Sequence, residues 1–186
     1  MNRRLLLGLV LLLLTACRLT IAPPATSTPE TTAARTCTRR TPDVHVLLNG
    51  LHGYCVHYPS AYDVAFINES QVAFTRGDPV NMGAPRAEIV ISKAEGRTVE
   101  AVAADWAGRY ADGGIVLERS PTVIAGVAAV VLDNPQGAAL RRHVFMVERE
   151  HLYMFTFTPA VRTLGAPYQQ MMELYTTLLD SFHFIP

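Results

Sequence analysis

Two neighbouring stretches, 140–148 and 151–158, constrain the fold of this chain more than any other feature. They flank Arg149-Glu150, and both are apolar at successive positions. If Arg149-Glu150 is the loop between them, the pairing follows. Met146 faces Tyr153 and Val144 faces Phe155 on one side; Phe145 faces Met154 and Val147 faces Leu152 on the other. Successive side chains of a strand point to opposite faces. Both faces of this hairpin are therefore apolar, and it must sit centrally with a layer over each face.

The remaining strands lie around it. Residues 44–48 read as a strand stopped by Asn49-Gly50, and 54–58 as a second stopped by Pro59. Residues 62–67 and 71–75 are a third and fourth, joined by Asn68-Glu69-Ser70. Residues 86–93 are a fifth, where adjacent Ile89, Val90 and Ile91 predict burial on both faces. Later strands are expected at 115–118 and 127–132, with Ile124-Ala125-Gly126 as a turn between strand pieces and 133–137 as a loop.

Two helices are legible. Thr98 is a candidate N-cap, since its hydroxyl can accept from an orphan backbone N–H. Val99, Val102, Ala103, Trp106 and Tyr110 then recur at helical spacing, up to Asp112-Gly113-Gly114. A second helix spans 167–181, with Pro167 tolerated in its first turn. Met171, Tyr175, Leu178, Leu179 and Phe182 form its apolar face, and Phe184 and Ile185 cap the core. Trp106, the sole tryptophan, reads as core. The sum is an α+β fold: a mainly antiparallel sheet with one helix on each face.

The start of the chain is of another kind. Arg3 and Arg4 precede an apolar run from Leu5 to Leu14, which ends at Thr15-Ala16-Cys17. Ten apolar residues are too short to span about 30 Å of hydrocarbon, and the layout is that of a secretory signal. A small residue before cysteine resembles the bacterial lipobox. That resemblance implies removal of 1–16 and lipidation of Cys17, which ties the protein to a cell or outer membrane, facing the extracytoplasmic space. Residues 17–42 then form a tether, with eight threonines and four prolines between Thr20 and Pro42. Such a stretch buries too little apolar surface to offset its ordering entropy. Residues 43–186 are the single globular domain, expected to be monomeric.

Removing Arg3 and Arg4 takes Lys+Arg from 16 to 14 against 16 acids, a net charge of −2. That balance offers no basic stripe for nucleic acid. Of three cysteines, Cys37 and Cys55 remain once Cys17 is set aside. In an oxidising compartment an isolated pair points to a disulfide over a metal site, with two free thiols as the alternative. A bridge would close a loop of about eighteen residues and stabilise by roughly 3 kcal/mol in the chain-entropy view.

The order of elements resembles the PsbP-like fold. The stretches that carry the likeness are Gly53-Tyr54-Cys55-Val56-His57-Tyr58-Pro59-Ser60, the strand 87–92 leading into the first helix, the turn at 124–126, the hairpin 139–158 and Leu178-Leu179-Asp180-Ser181-Phe182. The resemblance covers about residues 50–184. It implies a binding or assembly module, as in the extrinsic photosystem II subunit, a yeast Ran-binding import factor and many bacterial lipoproteins. It supplies no catalytic motif.

The residues themselves offer little chemistry. His45, His52 and His57 are close in sequence, and His143 and His151 lie on the hairpin, but no metal-ligand spacing such as His-Glu-x-x-His occurs. There is no Gly-x-Ser-x-Gly, and no close carboxylate pair for acid–base work. A Cys55 nucleophile would require a reduced thiol beside His57. Arg142 shares the face of Val144 and Met146, where its stem can snorkel, and Asp133 reads as a turn residue. Asn68-Glu69-Ser70 matches a glycosylation sequon, which a bacterial lipoprotein makes accidental. The loop 76–85 is too long for a tight hairpin. With Arg76, Asp78, Asn81 and Arg86 it is the candidate partner-binding surface, together with a sheet edge. The expectation is a non-enzymatic lipoprotein without cofactor or metal that binds an envelope protein. The alternative is a carrier of a small apolar molecule; an envelope hydrolase ranks below both.

Overall fold

The computed structural model describes residues 37, 41–78, 81, 83–134 and 141–185. The leader, Cys17 and most of the expected tether lie outside the described residues, as do Pro79, Val80, Met82 and most of the 133–137 loop.

Ten strands and two helices are present among the described residues. They are β1 (Val44–Asn49), β2 (Tyr54–Pro59), β3 (Asp63–Asn68), β4 (Gln71–Thr75), β5 (Arg86–Lys93), α1 (Val99–Asp112), β6 (Glu118–Ile124), β7 (Val127–Asp133), β8 (Arg142–Glu148), β9 (His151–Thr158), α2 (Ala166–Ser181) and β10 (His183–Phe184). A 3-10 turn at Arg162–Leu164 precedes α2. Seven strands form one antiparallel sheet in the order β3-β4-β5-β9-β8-β7-β6. A smaller sheet runs β1-β2-β10. The architecture is α+β, mostly antiparallel strand with two helices.

The β8–β9 hairpin occupies the middle of the large sheet, with the expected register. Met146 pairs with Tyr153, Val144 with Phe155, Phe145 with Met154 and Val147 with Leu152. Its loop residues Arg149 and Glu150 both have positive φ, 49° and 65°. That is the backbone of a type I′ turn, whose twist matches the flanking strands.

The hairpin's alternate residues feed two separate apolar clusters. Val144, Met146, Tyr153, Phe155 and Phe157 pack with Tyr168, Met171, Leu174 and Leu178 of α2. Phe145 and Leu152 pack with Val99, Val102 and Ala103 of α1 and with Val130 and Leu132 of β7.

Thr98 caps α1 as its position suggested: its hydroxyl accepts from the Ala101 N–H at 3.3 Å. At the other end Gly114, with φ 77°, takes the left-handed conformation, while Gly113 does not. On α2, Tyr168 and Leu174 join the buried face, and Tyr175 is only half-buried. Cys37 and Cys55 are joined by a disulfide across 18 residues, with Cα atoms 6.0 Å apart. The bond fastens the N-terminal side of the described chain to the buried face of β2.

Three expectations are corrected. Strand β6 covers 118–124 rather than 115–118. Pro121 argues against a strand only in a sheet interior; β6 is an edge strand, where a missing N–H is tolerated. Strand β5 is buried on one face, at Ala87, Ile89 and Ile91, and half-buried on the other. The reason is that α1 packs chiefly on β7 and β8. Trp106, read as core, is half-buried at the margin of the α1 cluster.

Candidate functional site

Of the loop residues singled out from the sequence, Arg76 and Arg86 lie at the sheet, and Asp78 and Asn81 within the loop. Arg76 N–H donates to the Pro85 carbonyl at 3.0 Å and closes the neck of the loop. Asn81 is structural: its Oδ1 accepts from Gly83 N–H at 2.9 Å, and its own N–H donates to the Asp78 carbonyl at 3.1 Å. Asp78 is exposed. Arg86 sits on β5, between Thr75 of β4 and Thr158 of β9. Arg76 approaches Tyr62, whose hydroxyl donates to the Gln170 carbonyl of α2 at 2.7 Å. Burial pushes the Tyr62 hydroxyl up to about 12, and the Arg76 charge works against that rise. Arg76 and Arg86 therefore stand at the base of the loop, while Asp78 and Asn81 share a turn within it.

Strand β3 lies next to this loop and is one of the two edges of the large sheet. It is exposed along almost its whole length. Phe66 is 59% exposed and Ile67 58%. Ile67 falls where the register with β4 shifts, so it is the extra residue of a bulge. Val64 and Phe66 lie opposite Phe74 and Val72 of β4, both in the α2-side core. Phe66 is thus the uncovered rim of a buried layer. The other edge, β6, presents Glu118, Arg119 and Pro121, which are devices that blunt an edge against pairing.

Two polar clusters lie inside the fold, one on each side of β8. His143 is 1% exposed. Its Nε2 is 2.8 Å from the Tyr110 hydroxyl of α1, and its Nδ1 is 3.2 Å from Thr156 Oγ1 of β9. A neutral imidazole has one donor and one acceptor nitrogen, and either tautomer is satisfied here by the rotatable hydroxyls. Burial, and secondarily the charge of Arg141, pulls His143 down from 6.5 to about 4. The Trp106 ring stands 5.0 Å from His143, and the Arg109 guanidinium lies 5.6 Å from the Trp106 centroid. Beside this group a shallow depression of about 280 Å³, open to solvent, is lined by Trp106, Arg109, Tyr110, Gly113 and Ile115.

On the other side Arg142 is buried, which corrects the expectation of a snorkelling side chain. Its Nη2 donates to Asp133 Oδ2 at 2.5 Å, its Nη1 lies 2.9 Å from Met172 Sδ, and its guanidinium stacks 4.9 Å from the Tyr175 centroid. Asp133 is therefore more than a turn residue: it supplies the countercharge that lets Arg142 enter the core. Arg142 Nε has no hydrogen-bond partner among the described residues. The signal for both clusters was present in the alternation of β8. It placed Arg142 and His143 on opposite apolar faces, where a polar side chain requires a partner. Which groups would meet them depended on α1, α2 and β7.

No described residues form a group of three or more His, Cys, Asp or Glu side chains able to hold a metal. Cys55 is in the disulfide and so has no thiol to offer. Ser181 Oγ accepts from the His57 N–H at 2.8 Å, a contact that joins α2 to β2. No described helix is long and apolar enough to cross a membrane.

No protein-family model and no curated protein matches the chain. Among solved structures, cyanobacterial PsbP (CyanoP) from Synechocystis sp. PCC 6803 is similar. It has a TM-score of 0.51 and 15% identity, over 79% of this chain and 95% of that one. A Pseudomonas aeruginosa protein of unknown function has a TM-score of 0.40 and 22% identity, over 69% of this chain and 94% of its own. A Bacteroides thetaiotaomicron protein follows at 0.38 and 10%, over 77% and 48%. A likeness at 15% identity speaks for fold alone, and in that sense this domain has a PsbP-like fold.

Proposed function

We propose that this chain is a lipid-anchored, extracytoplasmic, non-catalytic module that binds a protein at the cell envelope. The observation that carries the reading is the β3 edge, an open row of backbone groups beside exposed Phe66 and Ile67. An edge of this kind is a template for strand addition. The base of the loop 76–85, at Arg76, adjoins the start of the same strand. The reading takes the domain as an α/β/α sandwich, with α1 and α2 on opposite faces of the sheet. That arrangement leaves the edges as its exposed backbone. Lipidation of Cys17 would hold the module at a membrane through the tether of residues 17–42.

The test is made in cells of the source organism. Envelopes are crosslinked and the tagged protein is recovered, either unaltered or with Phe66→Asp. A stoichiometric protein partner, lost in the variant, supports the reading; an unchanged recovery pattern refutes β3 as the surface. Labelling with a clickable palmitate should mark the parent and not Cys17→Ala. Equal labelling of both would remove the anchor.

A second reading, carriage of a small apolar molecule, is favoured by the open depression beside Trp106. The sole tryptophan reports on it directly. Titration with 1-naphthol should quench Trp106 fluorescence saturably, and Ile115→Phe, which adds bulk to the depression, should abolish the saturable component. A linear, non-saturating response would dismiss the carrier.

A further inference from the structure

We infer that His52 and His151 form a two-imidazole site for a late first-row divalent cation, Cu2+ above all. The site is separate from the β3 surface and stands whether or not that surface binds a partner.

The two histidines are distant in sequence and meet at one end of the fold. His52 lies in the turn between β1 and β2 of the small sheet, and His151 opens β9 of the large one. Their ring centroids are 6.4 Å apart, with the ring planes at 71°. With metal–nitrogen bonds near 2.0 Å, two imidazoles on one ion hold their centroids roughly 5 Å apart when adjacent and roughly 6 Å apart when opposite. The pair stands close to the wider spacing. His151 is exposed, so a small rotation of its side chain takes up the remainder.

Hydrogen bonding decides which nitrogens carry a lone pair. His52 Nε2 is 2.9 Å from the Glu69 carbonyl oxygen, and His151 Nδ1 is 2.9 Å from that of Arg149. A carbonyl oxygen only accepts, so each of these nitrogens bears the proton. In the neutral rings the lone pairs are then on His52 Nδ1 and His151 Nε2. An imidazole that gives its N–H to a backbone carbonyl and its other nitrogen to an ion is the usual form of a histidine ligand. Here both rings are in that form before any cation arrives.

The backbone of His52 is held as firmly. Its N–H donates to Asn49 Oδ1 at 3.1 Å, and its carbonyl accepts from the Tyr153 hydroxyl at 3.3 Å. Asn49 is buried and donates from Nδ2 to the Tyr54 hydroxyl at 3.2 Å. Beside His151 the register places Lys93 on one strand and Glu148 on the other, so the neighbouring charges oppose each other. Two nitrogen donors leave the remaining positions to water. Cu2+ heads the affinity order for such donors and accepts a tetragonal set of nitrogen and oxygen. Mg2+ prefers oxygen ligands throughout.

The experiment uses the purified full chain carrying Cys17→Ser, without a polyhistidine tag, titrated with Cu2+ and separately with Mg2+. Cu2+ should be taken up saturably, with an electron paramagnetic resonance spectrum split by two nitrogens; Mg2+ should not be taken up. His52→Gln and His151→Asn each place an amide N–H where the ring donated. Each should weaken Cu2+ uptake at least about tenfold and reduce the splitting to one nitrogen. His45→Gln removes an exposed histidine that stacks on Tyr58, away from the pair, and should change neither. The splitting reads coordination directly, whatever a substitution does to stability. No saturable uptake, full uptake kept in either site variant, or an equal loss in His45→Gln would overturn the site.

Discussion

Strands β9 and β3 belong to one sheet and meet opposite fates. β9 is paired on both sides, by β5 and β8, and Leu152, Tyr153, Phe155 and Phe157 are buried. β3 is paired on one side only, and its largest side chains, Phe66 and Ile67, face water. Both strands are apolar, so apolar content does not separate them; position in the sheet does. The centre places stability where apolar side chains can be covered, and the edge leaves apolar surface exposed and backbone groups without a strand partner. Edge β6 sharpens the contrast, because there charge and proline suppress the same hazard.

The contrast can be broken first at the centre. Phe155→Ala should lower stability by about 4 kcal/mol, as expected for a buried phenylalanine that leaves a cavity. Urea unfolding should show a lower midpoint with an unchanged slope; a loss below about 1 kcal/mol would mean that the hairpin is not the seat of stability. Next comes the buried ion pair. Asp133→Ala leaves Arg142 charged and without its carboxylate, and should lose about 3 kcal/mol, the lower end for a broken buried pair because Asp133 is partly exposed. A melting temperature unchanged from the parent would contradict the pairing.

His143 makes the central strands pH-sensitive. Its folded value, about 4, lies below the unfolded 6.5. The unfolded chain therefore takes up a proton first as pH falls. Stability from this group is complete above 6.5, declines between 6.5 and 4, and the loss reaches up to about 3 kcal/mol. His143→Gln should flatten that part of the stability profile measured between pH 7 and 4.5; an identical slope in parent and variant would assign the acid sensitivity elsewhere. The smallest effect is expected at the edge. Phe66→Thr should change stability by less than about 0.5 kcal/mol, as for exposed residues generally, while weakening association. A loss above 2 kcal/mol would show that Phe66 belongs to the core after all.

Much of this was readable beforehand. The β8–β9 register followed from a two-residue loop and strict alternation, both local properties, and it is reproduced pair by pair. The Thr98 cap and the apolar stripe of α1 were equally local. The boundaries of β6 were not. Pro121 is a breaker inside a sheet and harmless at its edge, and the residues around it do not say which strand will be last. Within the loop 76–85, Asn81 holds a turn through a contact two residues long, whereas Arg76 leans on Tyr62 only because β3 pairs with β4. The Arg142–Asp133 pair joins neighbouring strands across a connection and left no motif behind.

What the amino-acid order determined alone is the set of elements and which faces must be covered, because periodicity, capping and turn chemistry act within a few residues. What only the assembled fold decided is which strands became edges, which polar side chains found partners, and which phenylalanine stayed in water. Those outcomes depend on neighbours distant in sequence. An exposed Phe66 and a buried Phe155 are the same residue type, separated only by the number of layers and strands that closed around each.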